Sequence, residues 1–148
     1  MNASGSGGFT EVERAAMKER AAELRAEKGG KKAAAALEDL LEKIAEMPDD
    51  QRVIAERIHA IVAEAAPALI PKTWYGQPAW ANSEGKVVLF FQAAAKFGTR
   101  YSTLGVQEAA ALDDGNMWPT SWAITQLDTA EEARVAEIVR KAADTELQ

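Results

Sequence analysis

Hydrophobic residues at helical spacing mark the N-terminal part of the chain. Thr10 and Glu13 form a Thr-x-x-Glu capping box, which predicts a first helix over residues 11–28, ended by the two glycines that follow. Charged residues fill most of this helix, and its apolar positions are only Val12, Ala16, Met17 and Leu24. We therefore expect residues 10–30 to form a solvated helix at the periphery of the domain.

Two further helices carry stronger apolar stripes. Positions i, i+3, i+4 and i+7 of the second helix are filled by Leu37, Leu40, Leu41 and Ile44. Pro48 ends this helix, and Asp49 or Asp50 is expected to be the N-cap of the third, which ends before Pro67. The buried face of the third helix is expected to contain Val53, Ile54, Ile58, Ile61 and Val62.

Between residues 67 and 128 the pattern changes to that of strands, with Gly and Pro at short intervals. The unbroken apolar run at 87–91 predicts a central strand covered on both faces. Shorter strands are expected at 73–75, 79–81, 99–104 and 121–124, with a kink at 76–78 and a short helix at 107–112.

A last helix follows a second capping box, formed by Thr129 and Glu132. Its apolar residues again repeat at helical spacing, at Val135, Ile138, Val139 and Ala142. Helices, then an antiparallel sheet of about four to five strands, then one helix predict an α+β fold. We expect a single domain over residues 10–146, preceded by a flexible leader at 1–9.

The amino-acid composition excludes several classes of function. The chain has 148 residues, which suits one domain, with no Cys and a single His. These counts exclude a disulfide scaffold, a thiol nucleophile and a zinc cage of Cys and His. A net charge of −6 makes nucleic acid and anionic membranes poor partners. No stretch approaches the roughly 20 apolar residues of a membrane span, and no signal-peptide pattern precedes the first helix, so the expected location is cytoplasmic.

Few titratable residues suggest a catalytic or metal-binding site. His59, the only imidazole, shares a helix face with charged residues and is expected to lie at the surface, with no triad around it. Glu38, Asp39 and Glu42 form an acidic ridge at helical spacing, which suits hard cations and iron. A solvated helix face is the simpler interpretation of the same ridge. The sequence contains no visible natural catalytic motif.

Aromatic residues in the predicted sheet are the most informative feature. The aromatic candidates for a ligand site are Trp74, Tyr75, Trp80, Tyr101, Trp118 and Trp122. The polar candidates in the same region are Gln77, Gln92, Lys96 and Arg100. Aromatic walls with a few convergent polar groups are typical of small-ligand sites, and the alternative is that the rings fill the core. Of these residues, Trp74, Gln77 and Trp80 are expected to point into a cavity.

Several motifs of this region resemble those of a known family. They are PKTWYGQPAW at 71–80, GKVV at 85–88, RYSTLG at 100–105, LDDG at 112–115 and MWPT at 117–120. Over about residues 10–143 the chain resembles the YdhG-like family of small bacterial proteins, a domain of unknown function, in its actinobacterial branch. The resemblance implies an α+β sandwich with a curved antiparallel sheet, distantly similar to frataxin. Because some members carry an iron-chaperone label, iron is a candidate cofactor.

Three positions depart from the family pattern. Gln77 stands where Met is usual, Trp80 where Tyr is common and Leu89 where Cys is frequent. Residues 4–8 also look like a linker. Together these features favour the hypothesis of an engineered member whose pocket has been altered.

Three functional hypotheses follow. The first is a small cytoplasmic protein that binds a small organic molecule in an aromatic-lined pocket beside the sheet. The second is a frataxin-like iron chaperone that holds iron on Glu38, Asp39 and Glu42. The third is an enzyme or binder engineered on this scaffold. The expected partners are therefore a small molecule or iron, not nucleic acid or membrane, and the oligomeric state is left open.

Overall fold

The computed structural model describes residues 10–28 and 33–144. The elements of this part of the chain are, in order, α1 (Glu11–Lys28), α2 (Ala33–Ala45), α3 (Asp49–Ala65), β1 (Ile70–Trp74), β2 (Gln77–Ala81), β3 (Val87–Gln92), α4 (Ala94–Phe97), β4 (Ser102–Val106), β5 (Ser121–Ile124) and α5 (Thr129–Ala142). The predicted leader at 1–9, the predicted helix stop at 29–30 and the predicted domain end at 145–146 lie outside the described residues.

The five strands form one antiparallel sheet in the order β1-β2-β3-β4-β5, so each strand pairs with its neighbour along the chain. β3 is the central strand, as its apolar run predicts. The sheet is curved, open and packed by helices from both ends of the chain, which confirms the predicted α+β fold.

One face of the sheet forms the hydrophobic core with α2, α3 and α5. The register places Trp80 opposite Leu89 and Phe91 opposite Leu104, and each of these side chains is 0% exposed. Directly opposed residues, and residues two apart on one strand, share a face of a sheet. All four side chains therefore lie on the same face. The helices cover them with apolar side chains that include Leu40, Ile44, Ile58, Val62, Val135 and Val139.

The opposite face of the sheet is only partly covered. Phe90 and Gly105 lie opposite each other on this face, and Ser121 follows Gly105 in register on β5. α1 contacts β1 and α4 and runs beside Trp74 and Phe90. On β5, by contrast, Ser121 and Ala123 are exposed. α1 therefore covers the β1 end of this face, whereas the β5 end is open to solvent.

The start of α3 differs from the prediction. Its N-cap is Pro48, not Asp49 or Asp50, and no side chain caps the helix. The two acids instead occupy the first turn of α3. Negative charge there still interacts favourably with the positive end of the helix dipole, which explains why the acids mark this helix start without capping it.

The chain from α4 onwards also differs from the prediction at three places. The capping box of α5 is formed by Asp128 and Glu131, one residue earlier than predicted, and the Asp128 N–H donates to Glu131 Oε1 at 2.8 Å. Residues 107–112 form a turn and irregular chain instead of the predicted short helix. A short helix forms at α4, where Gly98 adopts a left-handed conformation (φ 67°) at the C-terminal end.

Several strand boundaries are shifted as well: β1 begins at Ile70 instead of residue 73, and β2 begins at Gln77 instead of residue 79. The turn between β1 and β2 is Tyr75-Gly76, and Gln77 begins β2, so the predicted kink at 76–78 is wrong by one residue. β4 begins at Ser102 instead of residue 99, because Thr99 and Tyr101 belong to a turn in which the Thr99 hydroxyl donates to the Tyr101 carbonyl at 2.9 Å.

Two residues predicted in the buried stripes lie at the surface. Leu41 is 44% exposed and Val53 is 51% exposed, whereas their neighbours Leu40 and Ile54 are buried. The apolar stripe of a surface helix is only somewhat wider than about 100°. Leu41 and Val53 lie at the margins of their stripes, and the docking of α2 and α3 turns these margins towards solvent.

Candidate functional site

The tight turn between β1 and β2 positions the candidate site. Tyr75 and Gly76 both have positive φ, 55° and 74°, which is typical of a two-residue type I′ hairpin turn. Such a turn pairs its flanking residues, and Trp74 lies opposite Gln77. The Glu23 carboxylate of α1 accepts both turn N–H groups, at 3.0 Å from Tyr75 and 3.1 Å from Gly76. These charge-assisted hydrogen bonds attach α1 to the hairpin.

An aromatic groove of about 350 Å³ lies between α1 and the sheet beside this turn. Its rings are Trp74, Tyr75, Phe90 and Phe97. The Trp74 ring centroid lies 4.9 Å from that of Tyr75, edge-on, and 5.2 Å from that of Phe90. Gly105 makes room for this arrangement, since a side chain there would collide with the Phe90 ring. The α1 side of the groove is formed by Glu13, Ala16 and Met17.

The amides of Gln77 and Gln92 supply polar groups to the aromatic groove. Gln77 is only 4% exposed. Its Nε2 donates to the Trp74 carbonyl at 3.3 Å, whereas its Oε1 is buried and accepts no hydrogen bond from any described residue. A buried acceptor left without a donor costs about 1–3 kcal/mol. Gln77 is therefore the residue of the groove at which a ligand N–H or O–H would be most favourable, once a small side-chain movement exposes Oε1.

A second cavity, the lysine pocket, adjoins the aromatic groove at Gln77, which lines both. Its volume is about 220 Å³, and its apolar walls include Met47, Pro48, Pro78 and Phe91. Lys43 of α2 and Lys96 of α4 also line it. The Glu19 carboxylate of α1 lies between the two ammonium groups, 2.7 Å from Lys43 Nζ and 2.8 Å from Lys96 Nζ. One carboxylate thus bridges two lysines from different helices.

The two lysines stabilise the charged form of Glu19, and Glu19 stabilises the charged form of Lys43. Burial raises the pKa of Glu19, but hydrogen bonds and charge attraction from Lys43 and Lys96 outweigh burial and hold the pKa of Glu19 below its ordinary value of 4.5. Burial lowers the pKa of Lys43, yet the Glu19 carboxylate outweighs it and holds the pKa of Lys43 above 10.5. The Glu19–Lys43 pair is therefore fully ionised at neutral pH.

Trp80 fills the core instead of lining a cavity, which corrects the expectation from the sequence. Its ring is 0% exposed and stacks on the half-buried His59 ring, with centroids 6.2 Å apart and planes at 24°. The Trp80 Nε1–H donates to His59 Nδ1 at 3.3 Å. His59 is therefore not a plain surface residue: it satisfies the buried indole N–H, and burial lowers its pKa.

Four other predicted site residues lie away from the aromatic groove. Arg100 and Tyr101 line a separate depression in the turn before β4, where the guanidinium carbon lies 5.2 Å from the Tyr101 ring centroid. Trp118 and Trp122 line a cleft against α5. Trp122 lies opposite Leu104 in register and so belongs to the core face of the sheet, not to the face that carries the groove.

The structure brings only some of the predicted residues together. The groove gathers Trp74, Tyr75, Gln77 and Gln92, and Lys96 lies in the adjoining lysine pocket. Side-chain alternation explains this selection, because Phe90 and Gln92 are two apart on β3 and therefore share a face, opposite to that of Phe91. That period of two was the one sequence signal that could have separated groove residues from core residues.

The acidic ridge of α2 does not form a metal site in the described part of the chain. Glu38 and Glu42 are exposed, and Asp39 is half-buried. Among the side chains that the structure describes, no three from His, Asp or Glu are arranged so that they could hold a metal ion. Iron binding stays a prediction that rests on the family resemblance and on the acidic residues of α2.

The contribution of α1 was missed at the level of sequence. Glu19 and Glu23 stand at i and i+4 on a highly charged helix, a spacing that is typical of a solvated face. Nothing in the sequence distinguishes these two carboxylates from the other acids of α1. Only their contacts with the hairpin and the two lysines do so.

Comparison of the chain with protein-family models, with curated proteins and with solved structures finds no match. The resemblance to the YdhG-like family therefore stays a prediction, and function has to be inferred from the site itself. Among the helices in the described ranges, none has the length and apolar character that crossing a bilayer demands.

Proposed function

We propose that this protein binds a small organic molecule in the aromatic groove. The observation that carries the proposal is Gln77, which lines a cavity walled by aromatic rings and whose buried Oε1 has no donor among the described residues. A folded protein keeps such an acceptor at a cost in stability. A ligand that donates a hydrogen bond to this oxygen removes that cost, so the groove favours binding.

The lining of the groove defines the chemistry of the ligand. The rings of Trp74, Tyr75, Phe90 and Phe97 offer apolar faces that suit a flat, apolar or aromatic group. The amides of Gln77 and Gln92 orient a ligand and exchange no protons near neutral pH. Glu13, the carboxylate of the lining, is engaged at the N-terminus of α1, where it accepts the Thr10 N–H at 2.9 Å. The groove is thus suited to binding more than to acid–base catalysis.

Binding can be followed by tryptophan fluorescence, because Trp74 borders the groove. We would titrate the protein with indole and with benzamide, both flat N–H donors, and record the melting temperature in parallel. Saturable quenching with a raised melting temperature is expected. The fluorescence change should disappear in Trp74→Phe and persist in the control Trp118→Phe, which alters a ring in the cleft against α5.

A second variant tests the role of the amide oxygen. Gln77→Met preserves the length of the side chain and removes the acceptor, so affinity for benzamide should fall about three- to tenfold. If neither probe binds the parent protein, or if Gln77→Met binds benzamide as tightly as the parent, the proposed function is wrong.

A further inference from the structure

The lysine pocket and the aromatic groove together have the features of a site for an organic acid. Lys43 and Lys96 converge on one carboxylate, that of Glu19, at 2.7 and 2.8 Å. Two ammonium groups around one carboxylate are a recognition geometry for an organic anion. The anion that occupies it here is a side chain of the same protein.

We propose that Lys43 and Lys96 bind the carboxylate of the ligand, and that Glu19 holds this position in the free protein. The ligand is then an aromatic or similarly flat carboxylic acid with its ring in the aromatic groove, and a separate N–H or O–H on that ring, not the ionised carboxylate, donates to Gln77 Oε1. Because it names the ligand class of that groove, the proposal rests on the proposed function. No bond is made or broken; one carboxylate exchanges for another.

The residue that the two cavities share supports this ligand class. Gln77 lines both the groove and the lysine pocket, so a ring in the groove and a carboxylate at the lysines meet at its side chain. The lysine pocket adds apolar contacts from Pro78 and Phe91 beside the charges. An apolar body with one anionic end matches this combination of walls.

The attachment of α1 is of a kind that a ligand can displace. Among its described side chains only Ala16 is buried, while Val12 and Met17 are 40% and 44% exposed. Among the described side chains of α1, Glu19 and Glu23 bind the lysines and the hairpin, and the Arg20 guanidinium carbon lies 5.8 Å from the Tyr75 ring centroid. Partly exposed ion pairs contribute little to stability and weaken further with salt. Because Glu19 competes as an intramolecular group at high effective concentration, a ligand carboxylate displaces it only with the added binding of the ligand ring in the groove.

Benzoate and benzamide form a matched pair of probes, since they share a ring and differ in charge. We would measure both affinities by isothermal titration calorimetry in the full chain and in Glu19→Gln, which removes the carboxylate that the two lysines share and leaves Lys43 with Glu46 at 3.8 Å. Glu19→Gln should bind benzoate about tenfold more tightly than the parent and should leave benzamide affinity within about twofold. Glu11→Gln, an exposed acid at the start of the same helix, is the control and should change neither affinity.

Removal of the ammonium groups should have the opposite effect. Lys43→Gln combined with Lys96→Gln should weaken benzoate binding about tenfold or more and spare benzamide binding. Lys86→Gln, an exposed lysine outside both cavities, is the matched control. Circular dichroism of each variant shows whether the fold is retained, and Glu19→Asp, whose shorter side chain cannot bridge both lysines, offers a second way of freeing them.

The outcomes separate the two proposals. Equal binding of benzoate and benzamide, in the parent and in Glu19→Gln, overturns the organic-acid assignment and leaves the aromatic groove as a site for neutral ligands. Benzoate binding that survives the loss of both lysines overturns it as well. If neither probe binds any of the variants, the groove itself is not a ligand site, and both proposals fail.

Discussion

The indole N–H of Trp80 donates to Nδ1 of His59 across 3.3 Å, and this bond joins the middle of the sheet to α3. Nδ1 can accept only when it carries no proton, so the neutral imidazole holds its hydrogen on Nε2. The only histidine of the chain is therefore a partner for a buried tryptophan, and its protonation state is coupled to the packing of the core.

The first prediction concerns the effect of pH on stability through His59. Burial lowers the pKa of His59 below 6.5, so between its folded and unfolded pKa values the unfolded chain binds more protons. The free energy of unfolding should consequently rise with pH up to about 6.5, by at most about 1.4 kcal/mol per pH unit, and the stability should be lost as pH falls through this window. Urea denaturation at pH 5.5 and 7.5 measures the change.

His59→Gln is the matched variant, because its amide can still accept from Trp80 and does not titrate. The carboxylates contribute equally to the pH dependence of stability in both proteins. The difference between the two pH profiles therefore isolates the contribution of His59. Identical profiles for the parent and His59→Gln would show that the imidazole titrates alike in the folded and unfolded chain, against the prediction.

The second prediction is that Gln77→Met stabilises the free protein while weakening ligand binding. The substitution removes a buried acceptor that has no donor among the described residues, at the cost of the 3.3 Å hydrogen bond to the Trp74 carbonyl. The net gain should be about 1 kcal/mol in the free energy of unfolding. Chemical denaturation measures it, with Gln92→Met as the control for a glutamine that is only half-buried. A loss of stability in Gln77→Met would contradict this prediction, because it would indicate that Oε1 accepts a hydrogen bond in the free protein.

The third prediction compares two glycines with positive φ. Gly76 (φ 74°) and Gly115 (φ 66°) should both resist alanine because of backbone strain, of about 1 kcal/mol each. At Gly76 a methyl group would also collide with the Glu19 carboxylate, whereas nothing lies within 4 Å at Gly115. Displacing Glu19 breaks its two lysine contacts, so Gly76→Ala should cost about 1 kcal/mol more than Gly115→Ala. Thermal denaturation at low salt compares them, and equal losses would contradict this account of the hairpin.

The fourth prediction concerns the floor of the aromatic groove. A methyl group at Gly105 would collide with the ring of Phe90, so Gly105→Ala should destabilise the protein by about 1–3 kcal/mol, through overpacking. In a Phe90→Ala background the ring is gone, and the same substitution should cost much less. A double-mutant cycle measures this coupling. Additive effects of the two substitutions would mean that the ring moves aside freely.

Much of the secondary structure could be predicted from the chain. The apolar stripes of α2, α3 and α5 and the run at β3 are periodic signals that arise because one side of each element must be buried. The capping box of Thr10 and Glu13 also predicts the start of α1 correctly. Its two hydrogen bonds have nitrogen-to-oxygen distances of 2.9 and 3.0 Å. These are local properties, fixed by residues within one or two turns of each other.

The candidate site was predictable only in part. Aromatic enrichment and a polar residue at position 77 point to the right hairpin, yet composition does not say which face of the sheet a ring occupies. Trp74 and Trp80 are six residues apart in one hairpin, but one borders a groove and the other lies in the core. The turn at Tyr75-Gly76 decides between them, because it sets the register of β1 against β2.

The sequence by itself determined the four long helices, the approximate positions of the five strands and the α+β order, since these follow from periodicity along the chain. The tertiary structure alone decided that Glu19 meets Lys43 and Lys96, that Glu23 holds the hairpin, and that His59 accepts from Trp80. Each of these contacts joins residues more than 20 positions apart. Such pairs depend on how the elements dock, and docking is governed by the whole core rather than by any local pattern.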